Sequence, residues 1–186
     1  MASSYSTDLK LELMVTGENA GTWGDITNTN LNILQQAIAG YESVALNATT
    51  GATLAFSNGV ISNGKNAVLN LTGTLTSSVN VIIPDGVEKT YIAKNATTGS
   101  FAVTFKTTSG SGATWAAADK GVKLLYSDGT NVTDVNSQLK TISLFTLPAV
   151  DGTSGQAIIT NGAGSLSFAT AGITTGKAIA MAIVFG

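Results

Sequence analysis

Paired turn residues cut this chain into short pieces, and no other feature narrows its fold as much. Asn58-Gly59, Asn63-Gly64, Asp85-Gly86 and Asp128-Gly129 each set a glycine beside Asn or Asp, the combination that tight hairpin turns require. Between them run segments that alternate apolar and polar residues, as in Phe101-Ala102-Val103-Thr104-Phe105-Lys106. A period of two buries one face of a strand. Strands are predicted at Tyr41–Leu46, Thr53–Phe56, Ala67–Leu71, Val79–Ile83, Thr90–Lys94, Phe101–Thr107, Val122–Ser127 and Asn131–Val135. Short strands with such turn signals predict a central antiparallel β-sandwich or jelly-roll-like domain over residues 41–140. No long repeat of fixed period stands out, so neither a propeller nor a solenoid is expected.

The flanks differ from this body. In residues 1–40, Leu9, Leu11 and Leu13 alternate with Lys10 and Glu12 as a short strand, and a glycine-rich turn around Trp23 follows. Asp25 or Thr27 is then placed to cap a helix on which Leu31, Leu34 and Ile38 recur at helical spacing, with Ile33 and Ala37 widening that face. Gly40 fits the left-handed position just past its end. The helix is short and rich in Asn and Thr, so it needs something to pack on. In residues 141–186, Thr141–Leu147 reads as a strand ended by Pro148, and Gln156–Thr160 and Ser165–Thr170 flank Asn161-Gly162 as a hairpin. The run Lys177–Phe185 is almost wholly apolar and reads as a buried strand. The fold class is therefore mainly β, in three parts: a small N-terminal strand-turn-helix unit, the central domain, and a C-terminal β-hairpin with an apolar strand for oligomerisation.

Composition removes most chemistry. Among 186 residues there is no Cys and no His, and all nine basic residues are Lys. Disulfides, thiolate metal sites, the usual general base and bidentate guanidinium clamps are thus unavailable. The eleven acidic residues are scattered, whereas glycosidases need two facing carboxylates. Gly110-Ser111-Gly112 and Asn161-Gly162-Ala163-Gly164 lack the Lys-Ser/Thr of a phosphate loop. No catalytic residue, cofactor or metal is expected, and the chain does not read as an enzyme. Asp25, Glu18 and Asn19 read as helix and turn caps rather than a cation site, and Asp85, Asp128 and Asp151 as turns. A net charge of −2 without a basic run argues against nucleic acid. The start Met1–Asp8 lacks a cationic and apolar leader, and Ala178–Phe185 is shorter than the roughly 20 residues a membrane span needs. No membrane insertion is expected.

Only 11% of residues are charged, well below the roughly 25% of ordinary soluble domains. Much of the surface must be covered by Ser, Thr, Asn and Gly, or by other copies. The candidate interface residues are Trp23, Leu31, Leu34 and Ile38 near the N-terminus, and Ile179, Met181, Ile183 and Phe185 in the tail. Trp23 is either an anchor for a partner pocket or an internal plug between strand and helix. Tyr41, Tyr91, Tyr126 and Trp115 are candidates for stacking on sugars, or else core residues.

Gly21-Thr22-Trp23-Gly24, Asn28-Thr29-Asn30-Leu31 and Ala37-Ile38-Ala39-Gly40 together resemble the N-terminal part of tail-fibre-like virion proteins of bacteriophages, those of marine and cyanobacterial phages most of all. The segment Gly152–Phe168 is similar to a strand-turn-strand unit of phage fibre stalks, and Ile82–Val87 and Lys94–Gly99 look like the β domain of the same group. These segments span about half the chain. The resemblance implies a non-enzymatic structural component of a virion, tail-associated and fibre-like, made in the host cytoplasm. It implies docking on other virion proteins through the N-terminal unit, and a homotrimer. Two alternatives remain: a module that binds host-surface glycan, and a capsid decoration or head-fibre protein.

Overall fold

A computed structural model describes residues 3–138, 141–142, 145–170 and 183. The chain divides into two compact units, Met1–Asn136 and Ser137–Gly186. The first forty residues belong to the first of these and do not form a separate body.

The first unit opens with β1 (Ser4–Tyr5) and β2 (Glu12–Leu13), paired antiparallel, and continues into α1 (Trp23–Ala39). The helix starts earlier than its capping residues predicted. Thr22 occupies the cap without a side-chain bond, and Asp25 lies in the first turn, where the helix dipole favours an acid. Thr27 and Thr29 instead donate back to the carbonyls of Trp23 and Asp25, both at 2.8 Å. Gly40 is extended (φ −71°, ψ 140°), not left-handed. Its glycine answers a different need: a Cβ there would lie 2.3 Å from Asn66 Oδ1 and from the Gln36 carbonyl.

Helix α1 is fastened to its surroundings by polar clasps. Asn30 accepts from the Glu12 N–H at 3.0 Å and donates to the Glu12 carbonyl at 2.9 Å. The Gln36 carbonyl accepts from Ala67 N–H, and Gln36 Oε1 accepts from Ser62 N–H. Ile33 is the helix residue driven fully inward.

The body comprises β3 (Tyr41–Ala45), β4 (Gly51–Thr53), β5 (Val68–Thr72), β6 (Val79–Ile83), β7 (Glu88–Asn95), β8 (Val103–Thr107), β9 (Gly112–Trp115), β10 (Val122–Asp128) and β11 (Val132–Asp134). They form two facing sheets, ordered β11-β10-β7-β5-β3 and β4-β6-β8-β9. A mainly-β chain with one long helix near its N-terminus is what the sequence pattern predicted. The antiparallel topology is not. From β3 to β8 the chain passes from one sheet to the other and back, and the neighbours β3/β5, β5/β7, β4/β6 and β6/β8 are all parallel. Antiparallel pairing appears at the far edge, where β9 folds back on β8 and β10 lies between β7 and β11.

The body is therefore a short coil, contrary to the expectation that no solenoid-like repeat exists. Polar groups on successive turns bond 24 residues apart in the later circuit, as in Thr98 to Thr74, Ala102 to Ser78 and Ser109 to Asp85. They bond 28 apart in the earlier one, as in Thr72 to Val44 and Ser77 to Thr49. Two circuits of unequal length leave no fixed period in the sequence.

The core lies between the sheets. Leu69, Leu71, Tyr91, Ala93 and Leu125 face Val81, Ile83, Val103, Phe105 and Trp115. The rings of Tyr91 and Phe105 meet at 5.2 Å with a 50° tilt, a favourable geometry for aromatic pairs. Tyr91 donates to the Gly64 carbonyl at 3.2 Å, and Trp115 Nε1 to the Gly121 carbonyl at 3.0 Å. Among the described residues no buried side-chain nitrogen or oxygen lacks a partner.

Two lysines are drawn into this interior. Lys65 is fully buried, and its Nζ donates to the carbonyls of Ser57 (2.7 Å) and Val60 (2.6 Å). Desolvation, with a smaller push from Lys10, brings its pKa down to about 8. Desolvation also brings Lys89 down to about 8, with Nζ 4.8 Å from the centre of the Tyr91 ring. Between about pH 8 and the unfolded value near 10.5, the unfolded chain holds more protons than the folded one, so stability rises with pH. Burial pushes the Tyr91 phenol upward, which opposes this rise once unfolded tyrosine ionises near pH 10. Two lysines outweigh one tyrosine until the unfolded lysines themselves lose their protons, so melting temperature should climb from pH 7.5 to about 10 and turn over only above about pH 10.5. A flat or falling curve across that interval in a thermal-melt series would contradict this account of the two lysines.

In the second unit, β12 (Thr141–Ile142) pairs with β13 (Phe145–Thr146), and β14 (Gln156–Thr160) with β15 (Leu166–Thr170), all antiparallel. The predicted Asn161-Gly162 hairpin is present. Gly162 takes φ +76°, and Asn161 Oδ1 accepts from Ala163 N–H and Ser165 N–H. The predicted strand over Lys177–Phe185, with Ile179, Met181 and Phe185, lies outside the described residues; Ile183 is described and exposed.

Candidate interaction surfaces

Helix α1 separates the apolar residues that the sequence had grouped on one face. Ile33 turns into the protein, with Ile26 and Ala37 half-buried beside it. Trp23, Leu31, Leu34 and Ile38 repeat at steps of eight, three and four, which puts them along one exposed flank of a 3.6-residue helix. Trp23 is 65% exposed and Ile38 79%. Trp23 is therefore no internal plug: strand β2 is held to the helix by Asn30, and the indole is left outside.

A second apolar feature crosses the five-stranded sheet. Register pairs Tyr41 with Val68, Val68 with Ile92, and Ile92 with Leu124. Val135, whose N–H donates to the Leu124 carbonyl, extends the row to the last strand. These side chains alternate with the buried Val44, Leu69, Tyr91 and Leu125, so they share the outer face. Tyr41, Ile92 and Val135 are exposed, and Val68 and Leu124 half-buried. The rows on either side are Ser43-Asn70-Lys94-Val122 and Thr90-Tyr126-Thr133, with Lys94 their one charge. Sequence reading missed this ladder. Its trace was there: Tyr91-Ile92-Ala93 and Leu124-Leu125-Tyr126 are consecutive apolar triplets, which a strand wet on one face does not need.

The aromatic candidates divide cleanly. Tyr91 and Trp115 are wholly buried, so neither can stack on a ligand. Tyr41 and Tyr126 are exposed on the sheet's outer face. Tyr41 also lines a pocket of about 300 Å³ with Asn32, Gln35 and Gln36 of α1, Ile61 and Asn66.

The acidic candidates serve turns. Ser3 and Asn19 are hydrogen-bonded to one another, and Ser3 donates to Glu18. Asp85 accepts from Ser109 N–H and Oγ, chiefly through which its carboxyl is held below the usual range. Asp128 accepts from the N–H groups of Asn131 and Thr130, with the same effect. Lys123 lies between Asp134 (2.7 Å) and Asp119 (3.5 Å), and the Asp134 bond raises its pKa. Among the described residues no group of three His, Cys, Asp or Glu side chains could hold a metal ion. No helix among them is long and apolar enough to cross a membrane.

Comparison with protein-family models, with curated proteins and with solved structures finds no match.

Proposed function

We propose that this chain is a non-enzymatic structural component of a bacteriophage particle, tail-associated and fibre-like, that assembles with copies of itself and docks on other virion proteins through its N-terminal unit. The observation that carries the reading is the Tyr41–Val68–Ile92–Leu124–Val135 row across the outer sheet face. Apolar area on that scale gains by leaving water. A second copy suits the row because it and the two rows that flank it carry Lys94 as their one charge, while the acidic Glu88 and Asp128 pair lies further along the same face, at the ends of β7 and β10. The resemblance to fibre-like virion proteins favours the trimer. The exposed flank of α1 is a second apolar surface, and it serves a different partner, the particle.

The two surfaces can be tested independently. The full-length chain should sediment as a homo-oligomer. Ile92→Glu with Leu124→Glu should reduce it to a folded monomer, since each buried carboxylate without a partner costs several kcal/mol in association. Leu31→Glu with Ile38→Glu should leave the oligomer mass unchanged and abolish incorporation into particles. A monomeric parent protein, or an oligomer indifferent to the sheet-face pair, would overturn the self-association reading.

A further inference from the structure

Resting on the self-association proposed above, we infer that the outer edge of β3 is a second contact between copies, where two β3 strands pair antiparallel across a two-fold axis at Ser43. Strand β3 ends the five-stranded sheet and has β5 on one side only. Val68 N–H donates to the Gly40 carbonyl, and Leu46 N–H to the Thr72 carbonyl. Backbone groups of successive strand residues point to opposite edges. Gly40, Glu42, Val44 and Leu46 therefore face β5, and Tyr41, Ser43 and Ala45 face away. Among the described residues, the N–H and C=O groups of that outer set have no partner. The edge of β4, the strand that follows, is closed by its own chain. Gly51 and Asn47 exchange both backbone bonds, Ala55 N–H donates to Asn63 Oδ1, and the Ala55 carbonyl accepts from Gly64 N–H. Strand β3 has no such cover, and it carries neither the lysine nor the proline that keeps free edges apart.

A second copy fits because the open set is centred on one residue. Antiparallel pairing about Ser43 sets that residue against its counterpart, and Tyr41 against Ala45 of the other copy. Every outward N–H of each strand then meets an outward carbonyl. On the outer face the large Tyr41 side chain is set against the small Ala45. On the inner face Glu42 is set against Val44, so no like charges stand directly opposite. These bonds lie in the plane of the sheet, whereas the apolar row covers its face. Burying the Tyr41 side chain in the row thus leaves its backbone edge free. Each backbone bond replaces bonds to water and gains little, so the edge alone does not offset the cost of association. A single copy stays unpaired. An oligomer built on the row presents one β3 edge per copy, and its edges engage together. Pairing then joins two cyclic oligomers into a closed dihedral assembly.

The test is sedimentation of the full-length protein and of three variants at Ser43. Ser43→Pro removes the central donor without touching a β3/β5 bond, because proline is tolerated where a strand N–H faces out of the sheet. It should halve the sedimenting mass and leave the circular dichroism spectrum unchanged. Ser43→Asp and Ser43→Lys keep the backbone intact, and each should halve the mass as well, since like charges meet at the two-fold axis. Mixing those two should restore the full mass. An oligomer whose mass all three variants leave unchanged overturns the edge pairing and leaves the row standing. Halved masses with no recovery in the mixture also overturn it. A monomeric parent protein overturns both the edge and the row.

Discussion

Trp115→Ala should lower the stability of the folded protein by about 3–5 kcal/mol, the range for truncating a large buried aromatic side chain. The indole is fully buried at the end of the four-stranded sheet, where β9 is the edge. Three contributions disappear together: its apolar area, the bond from Nε1 to the Gly121 carbonyl, and the ring beneath Lys123 Nζ at 5.7 Å. The Gly121 carbonyl would also be left without that donor. Urea unfolding monitored by circular dichroism gives the difference directly. Tyr126→Ala, on the exposed face, should change stability by no more than about 0.5 kcal/mol. A loss below about 1 kcal/mol for Trp115→Ala would mean the residue is not in the core.

Gly51→Ala should cost about 2–5 kcal/mol, combining left-handed backbone strain with overpacking. Gly51 holds φ +78° at the start of β4, in register with Asn80 of β6. A Cβ there would lie 2.0 Å from the Asn80 carbonyl oxygen, a backbone atom that cannot rotate away. Relief requires β4 and β6 to separate, and with them the first circuit of the coil. Gly86 offers the control. It has the same φ of +78° with nothing within 4 Å of its Cβ position, so Gly86→Ala should carry the conformational cost alone, about 1–2 kcal/mol. Denaturant midpoints for the two variants separate strain from collision, and equal losses would remove the parallel β4/β6 contact from the explanation.

Local signals in the sequence were read well wherever chemistry within a few residues decides the outcome. The strands at Val79–Ile83 and Val103–Thr107 and the Asn161-Gly162 hairpin follow from alternation and turn residues alone. The failures share a cause. Strand direction was misjudged because parallel and antiparallel ladders bury the same alternating pattern, and nothing in Val79–Ile83 says whether its neighbour is 24 residues away or across a hairpin. Ile33 and Leu34 are equally apolar and adjacent, and what the helix packs against, not their own chemistry, decides that Ile33 is the one turned inward. Tyr91 and Tyr41 likewise have the same side chain in similar strands.

The amino-acid order by itself determined that this protein is mainly β with a helix near its N-terminus, that it carries little charge, and that it has no thiol, imidazole or guanidinium to use. Only the tertiary structure decided that the strands coil in parallel between two sheets, which leaves an apolar ladder and an amide-lined pocket outside while two of the four aromatic candidates are sealed within. The reason is range: turn geometry and residue chemistry act over a few residues, whereas the face a side chain occupies is set when strands some two dozen residues apart come into register.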